Sequence, residues 1–147
     1  MTLKFLNAKD KKQLLEQLEQ YGINQLPWHL IQTGKEKIRA FSGEITGQDI
    51  LNIHNLVYTE GIGLHILTLR DDEIRITLDG LHLLKPTRKI IELTEEQKDD
   101  WFKGKDLQIE AEKGFVILKY KEDLIGMGKS LGDRIYNYLP KERRVKS

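Results

Sequence analysis

The sequence predicts an α+β protein made of two small units. Three observations predict it. A run with helical periodicity near the N-terminus is followed by alternating, paired apolar runs. A Lys85-Pro86-Thr87 break interrupts the pattern, since proline cannot donate to a β-ladder and biases the residue before it toward extended geometry. Beyond the break the chain reads as strands interrupted by one capped helix. Residues 1–84 are thus expected to form an α+β unit and residues 85–147 a mainly β one.

Taken in order, Asp10 is a candidate cap for a helix through QLLEQLEQY, where Leu14, Leu15, Leu18 and Tyr21 recur on one face. Gly22 suits the left-handed position after its end, and Ile23 can close over it. Pro27 and Trp28 lie in a connecting segment. Residues Lys35 to Phe41 alternate as a strand, Ile38 and Ala40 against Lys37 and Arg39. Thr46-Gly47-Gln48-Asp49 reads as the start of a second helix. LHILTLR (64–70) and EIRITLDG (73–80), joined by Asp71-Asp72, give a hairpin with Ile74, Ile76 and Leu78 on one face. HLL (82–84) is expected to add a short strand. In the second unit KIIEL (89–93) is a strand. Thr94 with Gln97 forms a capping box for a helix that Gly104 ends. Strands follow at GFVILKY (114–120), LIGMGK (124–129) and RIYNYL (134–139).

Composition limits the chemistry. The 147 residues are 39% hydrophobic and 32% charged, with no cysteine. Disulfides and thiolate metal sites are therefore excluded, and a cytoplasmic setting is favoured. No apolar run approaches the roughly 20 residues of a membrane span. The net charge of +1 names no partner, but its distribution is uneven. Residues 1–84 carry nine basic and eleven acidic side chains, and residues 85–147 carry fifteen and twelve. From Arg134 onward five basic residues face one acidic residue, a charge footprint suited to phosphates. The four histidines lack paired metal-binding spacing. The acidic run Asp71-Asp72-Glu73 reads as a solvated turn, and no nucleophile elbow is present.

The helix ending Trp101-Phe102-Lys103-Gly104-Lys105-Asp106-Leu107 resembles the first helix and following turn of PUA domains. FVILKY with Leu124-Ile125-Gly126-Met127-Gly128-Lys129 is similar to their later strands. Asn137-Tyr138-Leu139-Pro140-Lys141-Glu142-Arg143-Arg144 resembles the C-terminal RNA-binding region of Sun-type RNA cytosine-5 methyltransferases. The first unit is similar to the pre-PUA module of small ribosome-assembly factors. The resemblance implies a pre-PUA-like α/β unit followed by a PUA-like β pseudobarrel. It further implies an RNA-binding protein acting on structured rRNA or tRNA in RNA modification or ribosome biogenesis. A modification enzyme or a ribosome-assembly protein is the implied protein partner. Those methyltransferases use a cysteine nucleophile and a cofactor domain. This chain has neither cysteine nor a glycine-rich cofactor loop, so the expectation is a binding module with no catalytic residues, metal or cofactor of its own.

Individual residues fit this reading. Gly104 either lets following backbone N–H groups approach a phosphate or simply caps the helix; Lys103 and Lys105 flank it. Gly126 and Gly128 leave one strand face bare for a tight barrel bend, which is compatible with RNA approach, and Lys129 follows them. Tyr136 and Tyr138 share a face, exposed for base stacking or buried as core. Arg134, Lys141, Arg143 and Arg144 are candidate phosphate contacts. Two other classes stay open: a protein-interaction module, and a small enzyme or metabolite-binding domain of PUA-like fold.

Overall fold

The computed structural model describes residues 3–41, 63–71, 73–139 and 144; the helix expected at Thr46-Gly47-Gln48-Asp49 lies outside them. The chain divides into two compact units, Met1–Pro86 and Thr87–Ser147.

In the first unit, β1 (Leu3–Phe5) is followed by α1 (Ala8–Leu18). The helix starts three residues earlier than expected. Asn7 is its cap, accepting the Asp10 N–H at 2.9 Å, while the Asp10 carboxylate accepts the Asn7 N–H at 3.0 Å. Asp10 resembles a cap in the sequence but is the acidic partner of a capping box. The Asn7 N–H, followed by Lys4 at 3.3 Å, holds the Asp10 carboxyl below the usual carboxylate range. A single 3₁₀ turn (Glu19–Tyr21) and Gly22, at φ 79°, close the helix; the Ile23 N–H reaches back to the Leu18 carbonyl.

Among the described residues five strands follow the order β1-β2-β3-β4-β5, all antiparallel, with β2 at His29–Thr33, β3 at Lys37–Phe41, β4 at Leu64–Arg70 and β5 at Glu73–Ile76. Leu30 pairs with Ala40, and Ile38 with Leu67 and through it Ile76; all five are buried on one face. The expected hairpin forms, but its second strand stops at Ile76. Thr77 Oγ1 accepts the Gly80 N–H at 3.0 Å and donates to the His65 carbonyl at 2.6 Å, opening α2 (Leu78–Leu84). Leu78 thus begins a helix, and HLL (82–84) is helical rather than a strand. A threonine that caps while anchored to the neighbouring strand ends the ladder.

In the second unit β6 (Ile90–Glu92) runs parallel to β7 (Gly114–Tyr120). Antiparallel β8 (Asp123–Ser130) and β9 (Ile135–Asn137) complete a four-stranded sheet. Between β6 and β7 lies α3 (Glu95–Phe102), its capping box formed by Thr94 and Gln97 as expected. Past the helix, Leu107 exchanges both backbone hydrogen bonds with Ile135 and so continues the sheet beyond β9.

Trp101, fully buried, is the centre of this unit's core, with Leu93, Leu107, Val116, Leu118, Ile125, Ile135 and Leu139 around it. The indole lies against the bare face of β8. A Cβ at Gly126 would come within 3.0 Å of indole Cζ2 and Nε1, and one at Gly128 within 2.5 Å of Ile135 Cγ2 and 3.3 Å of indole Cη2. The Gly-x-Gly pair is therefore an interior seat for a large ring. Indole Nε1 is buried without an acceptor among the described residues.

Gly128→Ala should destabilise the protein by about 1–3 kcal/mol through overpacking, measured by denaturant unfolding. An unchanged midpoint would show that Ile135 and Trp101 can yield. In the first unit, burial and then nearby Glu73 push Tyr21 from 10.0 up to about 12. The folded state thus keeps its proton after the unfolded chain has lost one, so this contribution is intact below pH 10 and disappears as pH rises toward 12. Tyr21→Phe should flatten the alkaline fall in stability; an identical fall in the variant would locate the effect elsewhere.

Candidate nucleic-acid interface

The end of α3 carries the densest group of expected contacts. Lys103 closes the helix, and Gly104 follows at φ 84°. The Gly104 N–H is bonded to the Trp101 carbonyl at 2.9 Å and the Lys105 N–H to the Asp100 carbonyl at 3.1 Å. Both donors satisfy the helix's own terminal carbonyls, so the backbone nest considered for Gly104 is not present at these positions.

Gly104 has a second role. A Cβ there would sit 2.7 Å from Arg144 Cδ and 2.8 Å from its Nε. The guanidinium lies across the glycine, and its Nε donates to the Leu139 carbonyl at 2.9 Å. Arg144 is thus anchored beside the turn from which the exposed side chains of Lys103 and Lys105 project. Lys105 stands 3.7 Å from Asp100, and Arg134 Nη1 3.9 Å from Asp106. Such exposed pairs contribute little, a median of about 0–1 kcal/mol, and phosphate oxygens can replace the carboxylates.

Asn137 ties this turn to the sheet. Its amide nitrogen donates to the Trp101 and Lys105 carbonyls, each at 2.9 Å, and its side-chain oxygen accepts the Leu139 N–H at 2.8 Å. The Asp106 carboxylate accepts the Asn137 N–H at 2.9 Å. The cations therefore project from a turn clamped at both ends to buried backbone. The sequence reading missed Asn137 and Asp106 as positioning residues; the signal was there only as a polar residue between two tyrosines of a strand.

The remaining expected residues separate. Gly126 and Gly128 are buried beneath Trp101, which corrects their assignment as RNA contacts. Lys129 and Tyr136 lie opposite each other on β8 and β9, on the sheet face away from Trp101. Phe115, also missed, lies opposite Lys129 on β7. Lys141 and Arg143 lie outside the described residues. Among the described residues no group of three or more His, Asp or Glu side chains could share a metal ion, and no helix is long and apolar enough to cross a membrane.

Residues 88–145 match the family model described as the methyltransferase RsmF PUA domain. The second unit is a PUA domain. Over 54 residues the chain is 43% identical to ribosomal RNA small subunit methyltransferase F of Vibrio cholerae serotype O1 (strain M66-2), covering 35% of this chain and 11% of the relative. Over 55 residues it is 44% identical to the same enzyme of Psychromonas ingrahamii, again covering 35% and 11%. The matched stretch thus spans about a tenth of these curated relatives. A solved structure, a conserved PUA domain protein from Thermoplasma acidophilum, matches 97% of both chains with a TM-score of 0.63 at 16% identity. That likeness establishes the fold: an α+β protein with a PUA pseudobarrel.

Within the PUA domain, Asn137→Ala would take their side-chain partner from the Lys105 carbonyl and the Leu139 N–H, and would leave the Trp101 carbonyl only its bond within the turn. The expected cost is about 2–4 kcal/mol in denaturant unfolding. A loss below roughly 0.5 kcal/mol, the level of an ordinary surface change, would show that the turn is held by other means.

Proposed function

We propose that this protein binds structured RNA, with rRNA of the small subunit as the first candidate. It acts as the recognition part of RNA modification or ribosome biogenesis and has no catalytic role of its own. The carrying observation is the cation group at the clamped α3 turn, Lys103 and Lys105 on it and Arg144 beside it, within a PUA domain. Support for rRNA comes from the relatives' description as small-subunit rRNA methyltransferases. On this reading residues 1–84 are a pre-PUA-like unit and residues 85–147 the RNA-binding one. Fixed cations on a rigid turn meet phosphates without first losing backbone freedom, which favours affinity.

A second reading, a protein-interaction module, is favoured by a cleft of about 500 Å³ in the first unit. Leu14, Ile38 and Ile74 line its apolar part, and Lys4, Glu36 and Arg70 its charged part.

Retention of small-subunit rRNA fragments, tRNA and a DNA duplex across a salt series tests the proposal. Contact with about five phosphates gives a slope of log affinity against log salt between roughly −3.5 and −4.5. Reversing charge at Lys103 and Lys105 together should weaken RNA binding and flatten that slope by roughly 1.5–2. Equal, weak retention of RNA and DNA, lost near physiological salt, would refute the RNA reading. A stoichiometric protein partner that survives nuclease and high salt would then support the second.

A further inference from the structure

The α3 turn does not use the aromatic face of the second sheet. Register places Phe115, Lys129 and Tyr136 in one cross-strand row over β7, β8 and β9. Tyr138 lies two residues along from Tyr136, its ring 5.0 Å from that of Tyr136 and 6.1 Å from that of Phe115. Lys129 Nζ sits 5.4 Å from the Phe115 ring centre, within cation–π range. Arg134, which shares the face of Tyr136 by strand alternation, keeps 48% of its side chain exposed.

Tyr136 is the exception in this row. It is 45% exposed, whereas its chain neighbours Ile135 and Asn137 are buried on the opposite face. The core does not need its ring, yet Tyr138 packs beside it, Lys129 lies opposite it on β8 and Arg134 stands two residues before it. A single exposed apolar residue is ordinary on any protein. A supported, half-exposed ring in the same neighbourhood as Lys129 and Arg134 has a more specific use. Its flat face suits a nucleobase, which stacks irrespective of identity, while the cations suit the adjoining phosphates. An apolar protein partner would be offered one exposed ring, two part-buried ones and two charges, a poor match to the charge-depleted centre of protein interfaces.

We propose that this face is a second RNA site, in which the base of one unpaired nucleotide stacks on Tyr136 and its phosphates lie toward Lys129 and Arg134. The site rests on the RNA-binding reading above but is separate from the α3 turn. A duplex hides its bases and engages only the turn; a strand with an unpaired nucleotide engages both.

The full-length chain is titrated with two probes: an unstructured RNA oligonucleotide carrying one 2-aminopurine, whose fluorescence is quenched by stacking, and a blunt RNA duplex. Tyr136→Ala should weaken oligonucleotide binding roughly tenfold and abolish the quenching, with duplex affinity unchanged. Tyr136→Phe, which keeps the ring, should match wild type on both probes. Three results would overturn the site: undiminished quenching in Tyr136→Ala, equal losses on both probes, or a wild-type protein that holds the duplex but not the oligonucleotide. The last leaves the proposed function standing, whereas a wild type that binds neither probe removes both. Loss of a co-purifying protein in Tyr136→Ala, with both RNA affinities intact, would assign the face to a protein instead.

Discussion

One indole against two glycines organises the second unit. Trp101 needs a flat seat, and β8 provides it only because Gly126 and Gly128 carry no side chains on that face. Its position then determines others. Packing at Trp101 sets where α3 ends, the end of α3 sets where Gly104 turns, and the turn directs Lys103 and Lys105 outward. Replacing a buried tryptophan by alanine typically costs about 3–5 kcal/mol, a large share of the 5–15 kcal/mol that holds a domain folded. An exposed cation group thus depends on interior packing.

Asn137 carries the same dependence through hydrogen bonds. Helix ends leave carbonyls without partners, and here the Trp101 carbonyl is satisfied by the Gly104 N–H and by a side chain from β9. Asn137 also accepts the Leu139 N–H, so one buried carboxamide joins helix, turn and the chain after β9. Tyr136, the residue before it, faces the other way, which lets three residues of β9 serve both core and surface.

Features decided over a few residues were legible in the sequence. The Thr94–Gln97 capping box and the left-handed Gly22 and Gly104 depend on contacts three or four positions away. Gly-x-Gly was legible as a bare strand face, but not what fills it, since Trp101 lies in another element. The end of β5 was hidden because Thr77 and Leu78 continue the alternation of Ile74 and Ile76. Only the bond from Thr77 to His65 on the neighbouring strand reveals the helix. Asp10 misled because both members of a capping box are short polar residues. Strand β1 was missed because it has only three residues, and β2 because its burial alternates poorly: Leu30, Ile31 and Thr33 are all buried. Of the candidate site, the residue types were legible, but the sorting of Gly126 and Gly128 inward and of Lys129 and Tyr136 outward needed the register of β8.

The chain has two tryptophans, and they fall in different units. Trp101 is sealed in an apolar core, while Trp28 is only half-buried. Indole emission shifts to longer wavelength as water reaches the ring, so the two report at different colours. Loss of the blue component follows the loosening of the PUA core, and with it the seating of the α3 turn. The protein thus carries an intrinsic optical signal for the part of the fold on which its cation group depends.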